Sequence, residues 1–120
     1  MYTLKKEIME TTRQSKVARL IQKDLGEIFQ RLDKDILQGR LVTVTVVRVS
    51  PDLSFAKVYL SIFPSQNSKE FLVHLQHFTK TVRTLLAQRV KNQLRIIPEI
   101  ALVIDDSMDY VNRIDELLKK

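Results

Sequence analysis

Two β-branched runs, joined by a short turn, constrain this chain more than any other feature. The first is Leu41-Val42-Thr43-Val44-Thr45-Val46-Val47-Arg48-Val49-Ser50. Pro51-Asp52-Leu53-Ser54 follows, then Phe55-Ala56-Lys57-Val58-Tyr59-Leu60-Ser61-Ile62-Phe63. Such runs around a Ser-Pro-Asp turn predict an antiparallel hairpin. A pairing that opposes Val46 to Val58 and Val44 to Leu60 puts Val42, Val44, Val46, Val58, Leu60 and Ile62 on one side. Thr43, Thr45, Lys57, Tyr59 and Ser61 take the other. A slip of one residue would mix the two sets, so side-chain alternation specifies the register.

Around the hairpin the period changes. Val17, Leu20, Ile21, Leu25, Ile28, Phe29 and Leu32 recur at helical spacing, which predicts a helix beginning near Arg13 with Thr12 or Ser15 as its cap. Gly39 ends the connection into the first strand. Pro64 and Ser65-Gln66-Asn67-Ser68 break the second, with Ser68 a candidate cap. Phe71, Leu72, Leu75, Phe78, Val82, Leu85 and Leu86 then continue an apolar stripe, on one long helix or a helix pair. Pro98 lacks a donor and cannot sit in a central ladder. Ile100-Ala101-Leu102-Val103-Ile104 reads as a third, buried strand, stopped by Asp105-Asp106-Ser107. Ser107 is placed to cap a last helix carrying Val111, Ile114, Leu117 and Leu118. Residues 1–11 read as a tail and residues 12–120 as one domain.

The whole-chain numbers agree with a single folded unit. A chain of 120 residues, 44% apolar and 28% charged, can bury about two-thirds of its unfolded surface around one core. With no Cys in the sequence, disulfides, thiolate zinc sites and cysteine nucleophiles are excluded, and a reducing cytosol fits. No apolar run approaches the ~18 residues that mark a membrane span. The charged stretch from Met1 to Glu10 lacks the apolar core of a cleaved signal. Lys plus Arg outnumber acids 20 to 14, a net charge of +6, which points toward a polyanionic partner.

That charge is uneven. Between Glu70 and Glu99 there is no acid, but there are Lys80, Arg83, Arg89, Lys91 and Arg95, with His74 and His77. At about 100° per residue, Lys80, Arg83 and Lys91 fall opposite the apolar stripe, where phosphate oxygens would satisfy them. An ordinary solvated face is the competing explanation. Arg89 does not fit the phase: the helix breaks near Ala87 to Arg89, or Arg89 snorkels. The first helix carries a second basic stripe of Lys16, Arg19 and Lys23, with Arg13, Arg31 and Lys34 near the same side. Asp24 and Glu27 interrupt it and are placed for local helix pairs; alone, this stripe reads as a solvated face.

Catalysis finds little support. Glu70, His74 and His77 are too few, and too confined to one surface, for a metal site. Asp105 and Asp106 read as turn and cap residues. Gly26 and Gly39, the only glycines, cannot build a phosphate-binding loop. Tyr59 is the best candidate for base stacking; as a cross-strand partner of Thr45 it would be structural.

The segment Val49-Ser50-Pro51-Asp52-Leu53-Ser54-Phe55-Ala56-Lys57-Val58-Tyr59-Leu60 closely resembles the signature of the ribosome-binding factor A family. Arg13 with Val17-Ala18 and Leu20-Ile21, then Leu94-Arg95 with Pro98-Glu99-Ile100, then Asp106-Ser107 with Arg113-Ile114 and Leu117-Leu118, stand in the family's order. The resemblance covers residues 12–118. It implies an α+β fold related to the type II KH domain, ordered helix-strand-strand-helix(-helix)-strand-helix, with helices on one face of a three-stranded sheet. It also implies a cytoplasmic ribosome assembly factor, not an enzyme, monomeric off the ribosome. Such a factor binds the immature small ribosomal subunit and its rRNA, assists late maturation and 5′-end processing, and matters most in the cold. No metal, cofactor, small-molecule substrate or membrane is implied.

Two departures accompany the resemblance, one at the helix kink and one in the Arg83 to Leu94 interval, which is longer than the family's pattern. A KH clamp needs a Gly-x-x-Gly loop, and no glycine follows Gly39. The family's substitute is an Ala-x-Gly helix kink, and Phe78-Thr79-Lys80 stands in that place with neither small residue. The expected RNA-binding residues are Arg13, Lys16, Arg19 and Lys23 on the first helix and Lys80, Arg83, Lys91 and Arg95 on or after the second, with Arg48 and Lys57 extending the surface. The alternatives are a general RNA- or DNA-binding module and a basic protein-interaction domain.

Overall fold

The computed structural model describes residues 11–105. The expected last helix, like the tail before Thr11, lies outside the described residues.

Helix α1 spans Thr12–Arg31. Its cap is Thr11, one residue before the expected Thr12, and it closes a reciprocal box with Gln14. The Gln14 amide N–H donates to Thr11 Oγ1 at 3.0 Å, and the Thr11 N–H donates to Gln14 Oε1 at 3.0 Å, which satisfies two otherwise unpaired donors at the helix start. A one-turn helix, α2 (Lys34–Leu37), follows; four residues are too short for a periodicity to reveal. Gln38 and Gly39 have φ of 51° and 78°. These successive left-handed residues turn the chain into β1.

Strands β1 (Leu41–Val49) and β2 (Phe55–Phe63) form the hairpin. At its open end the expected register holds: Val42 opposes Ile62 and Val44 opposes Leu60. Beyond Val44 it fails. Val46 opposes Tyr59, and Val47 opposes Val58, because the register shifts between Val44 and Val46. One extra residue, Thr45, bulges out. Val46 is therefore on the outer face, 37% exposed, while Val47 and Val49 enter the core. Neighbouring elements take up the bulge's polar groups. Gln22 Nε2 donates to the Thr45 carbonyl at 3.1 Å, and the Thr45 hydroxyl donates to Asp105 Oδ2 at 2.6 Å. Thr45 thus belongs to neither of the expected sets.

The turn is organised by Asp52. Its Oδ1 accepts from the Ser50 hydroxyl at 2.7 Å, the Ser54 hydroxyl at 2.7 Å and the Ser54 N–H at 3.1 Å. These bonds favour the ionised form, led by that from Ser50, and lower its pKa from 3.8 to about 2. Leu53 takes the left-handed position, with φ 62°.

Helix α3 spans Ser68–Gln76 and α4 spans Thr79–Val90. Asn67, with φ 56°, precedes α3, and no side chain caps it, so the expected Ser68 cap is not formed. The stripe is a helix pair, interrupted at His77 and Phe78. Arg40 braces the approach to α3. Its guanidinium donates to the carbonyls of Pro64 and Gln66 at 2.9 and 2.7 Å and lies 4.8 Å from the Phe71 ring.

Strand β3 (Glu99–Ile104) pairs parallel to β2, giving the order β1-β2-β3. A parallel pair needs a crossover, and α3 and α4 supply it. Together with α1 they cover one face of the sheet. The core joins Val17, Ile21, Leu25, Ile28 and Phe29 of α1 to Phe71, Leu75, Val82, Leu86 and Val90 of α3 and α4. Beneath them lie Val42, Val44, Val47, Val49, Val58, Leu60, Ile62, Ile100 and Leu102. Leu60, on the central strand, is fully buried; such a side chain contributes roughly 1.5–3 kcal/mol. Within residues 11–105, the one-turn α2 aside, the element order and sheet are those of the expected type II KH-like fold.

Candidate nucleic-acid interface

The fold distributes the predicted cations over two opposite faces. Because Val17, Ile21, Leu25 and Ile28 are buried, the outer side of α1 presents Lys16, Arg19 and Lys23, with Arg13 beside them at its start; all four are exposed. Lys80 and Lys91 are exposed on the outer side of α4 and just past its end, and Arg95 is exposed in the segment leading to β3. None of these seven cations has an ion pair or hydrogen bond among the described residues.

Among the described residues, the reason the α1 cations stay unopposed lies with Arg89. Arg89 Nε donates to Asp24 Oδ1 at 3.2 Å, and a terminal nitrogen donates to Glu27 Oε2. The expected helix break does not hold, since α4 runs on through Arg89; its side chain is partly exposed beside Leu32 and Leu85, and its head ends on two carboxylates. Asp24 and Glu27 do not pair locally along α1; they bind across to α4. Asp24 is buried, so the two acids that interrupt the basic stripe in sequence lie beside it in space.

Arg83 is placed differently from its neighbours. Its Nε donates to the Pro98 carbonyl at 3.0 Å and a terminal nitrogen to the Ile97 carbonyl at 2.7 Å, with Glu99 Oε1 at 3.5 Å. Three acceptors therefore hold it against the start of β3.

Arg48 and Lys57 oppose each other across β1 and β2. They point away from the helices, because Val47, Val49, Ala56 and Val58 on either side of them are buried. They do not extend the helical surface. Lys57 Nζ stands 5.4 Å from the Tyr59 ring centroid, a cation–π distance. Arg48, Tyr59, Val46 and Asp105 line a shallow depression. Tyr59 opposes Val46; Thr45 meets it only through the Tyr59 carbonyl, at 3.3 Å from the Thr45 hydroxyl.

The two histidines are tied to separate backbone sites. His74 Nε2 lies 3.0 Å from the Ile36 carbonyl, with its ring between Phe71 and Phe78. His77 Nδ1 lies 2.8 Å from the Val73 carbonyl. At the helix interruption the Thr79 hydroxyl donates to the Gln76 carbonyl at 2.8 Å. The break is made without glycine: Phe78, with φ −105° and ψ 11°, turns the chain between the helices.

Sequence reasoning missed one arrangement. Arg31 and Gln88 stand on either side of a groove between α1 and α4, over Ile28, Leu32 and Leu85. The basic phase of Arg31 was visible; nothing local marks Gln88.

An α+β domain of KH-like order, with a cationic helical layer over one face of its sheet, defines the class. Residues 13–118 match the family described as ribosome-binding factor A, and the chain belongs to that family. The ribosome-binding factor A of Cytophaga hutchinsonii is 45% identical over 112 residues, which cover 93% of this chain and 84% of the relative. That of Flavobacterium johnsoniae is 44% identical, covering 92% and 85%.

Solved structures agree. The crystal structure of ribosome-binding factor A from Thermus thermophilus superposes with a TM-score of 0.64 at 26% identity, covering 76% of this chain and 93% of that one. The solution structure of a Thermotoga maritima ribosome-binding factor A gives 0.58 at 31% identity, covering 77% and 86%. A homology model of the Thermus protein, as fitted into a cryo-EM map of a 30S–RbfA complex, gives 0.56 at 27% identity, covering 72% and 89%.

Proposed function

We propose that this protein is a non-catalytic ribosome assembly factor that binds the immature small ribosomal subunit and its rRNA in the bacterial cytoplasm. There it assists late maturation of that RNA, including processing at the 5′ end, and matters most at low temperature. The observation that carries the reading is the removal of Asp24 and Glu27 from the basic face of α1 by Arg89. What remains is a row of cations with no counter-charge among the described residues, which phosphate oxygens satisfy. Family membership supports the small ribosomal subunit as that polyanion, and a neighbour has been fitted into a map of a complex with 30S.

In this reading Arg13, Lys16, Arg19, Lys23, Lys80, Lys91 and Arg95 grip phosphates from the helical layer. Arg83, held by its three acceptors, fixes the approach to β3 and gives that layer its shape. Arg48 and Lys57 touch RNA only where it wraps to the opposite face. The protein acts as a monomer. It needs only unequal affinity for two RNA conformers to hold one and bar the other.

A salt titration of binding to isolated small subunits tests this. Seven phosphate contacts at roughly −0.7 each on unpaired strands give a slope of log K against log salt near about −5. A flat response rejects phosphate-dominated binding. In competition, small subunits displace the protein far better than naked RNA or DNA. Equal competition by all three favours a general nucleic-acid module, and a salt-sensitive complex that survives nuclease treatment favours an acidic protein partner.

A further inference from the structure

We infer that the groove between α1 and α4 receives one unpaired RNA base, extruded from the strand whose phosphates lie on the basic face of α1. This inference rests on the RNA-binding reading above and adds a site to it. Ile28, Arg31 and Leu32 on α1 face Leu85, Gln88 and Arg89 on α4 around a groove of about 230 Å³. That is below the ~300 Å³ at which pockets begin to hold drug-sized ligands, and it suits a single planar ring. The floor is apolar: Ile28 is buried, and Leu32 and Leu85 pack partly against the core.

The rim is polar and uncommitted. Neither Arg31 nor Gln88 has a hydrogen bond or ion pair among the described residues. A planar guanidinium stacks on a base, and a carboxamide offers both a donor and an acceptor to a base edge. Arg89 is fixed by Asp24 and Glu27, so it makes one wall and is not free to fill the space. An aliphatic side chain from a protein partner would also cover the floor. It would strip water from the Gln88 carboxamide without replacing the lost bonds, whereas a base edge replaces them and stacking leaves the in-plane N–H groups of Arg31 open to water. Arg31 lies eight residues beyond Lys23, roughly 12 Å along the helix, so a strand on the basic stripe reaches the groove directly.

The test uses the full chain and two fluorescent RNA probes: an oligoadenylate decamer, and the same decamer with abasic central positions. Stacking on a protein surface is worth enough per base that the wild-type protein binds the intact decamer about tenfold more tightly. Gln88→Ala, an uncharged change at an exposed position, lowers affinity for the intact decamer three- to tenfold. It leaves the abasic probe and the melting temperature unchanged. Equal wild-type affinity for both probes, with K16E/R19E/K23E abolishing binding to each, overturns the groove and leaves the RNA-binding face standing. If the triple reversal changes nothing while Gln88→Ala still erases the preference for bases, the groove stands and the basic face falls. Binding to small subunits with none to either decamer overturns the base site in favour of a protein side chain.

Discussion

Asp24, Glu27 and Arg89 together decide what kind of surface α1 presents. Arg89→Ala leaves Asp24, whose side chain is only 12% exposed, without its charged partner. The expected loss is about 1–3 kcal/mol of stability, read by urea denaturation. A double-mutant cycle with Asp24→Asn should return a coupling of at least about 0.5 kcal/mol; purely additive effects would show that the pair does not hold α1 to α4. Asp52 makes a second residue-scale prediction. Its folded pKa is depressed to about 2 from 3.8, so its contribution is present above pH 3.8 and is lost as pH falls through about 2. The stability difference between wild type and Asp52→Asn should therefore shrink over that window. A constant difference would mean that the hydroxyl and amide donors of Ser50 and Ser54 do not favour the carboxylate. Arg89's odd phase was visible in the sequence. Its partners were not, being 62 and 65 positions away, because local periodicity holds no information about which helix lies alongside.

Among the elements, the strands and long helices were legible because each announces its own period over many residues. The bulge was not. Val46 and Val47 are both β-branched and apolar, so the alternation fits either one facing inward, and the choice is made by contacts that Gln22 and Asp105 bring from elsewhere. This yields a sharp contrast between two adjacent positions. Threonine keeps the branched shape and strand preference of valine but adds a hydroxyl. Val47→Thr buries that hydroxyl among apolar neighbours and should cost about 1–3 kcal/mol; Val46→Thr, on the open face, should change stability by no more than about 0.5 kcal/mol. Equal costs in thermal denaturation would refute the shifted register. The helix break is hidden for a related reason. Neither Gly nor Pro marks His77 and Phe78, so only the need for α3 and α4 to pack on one sheet locates it.

At the scale of the molecule, the sheet separates charges that the sequence could only count. Arg48 and Lys57 lie on the face away from the helices, and Arg83 is bound to Pro98, Ile97 and Glu99. The remaining cations of the helical layer form the proposed grip. Their assignment to one face depends on how α1 and α4 pack, which no single-helix wheel contains. The hairpin that names the family carries little of this surface; its inner side joins the core on which α1 packs. Binding to immature small subunits by K16E/R19E/K23E and by Lys57→Glu, measured side by side with melting temperatures confirmed unchanged, tests this most directly. The helical-face reversal should weaken binding by at least about a hundredfold, while Lys57→Glu should stay within about threefold of wild type. Full binding by the triple variant, or a larger loss from Lys57→Glu, would contradict the assignment of the RNA grip to the helical layer.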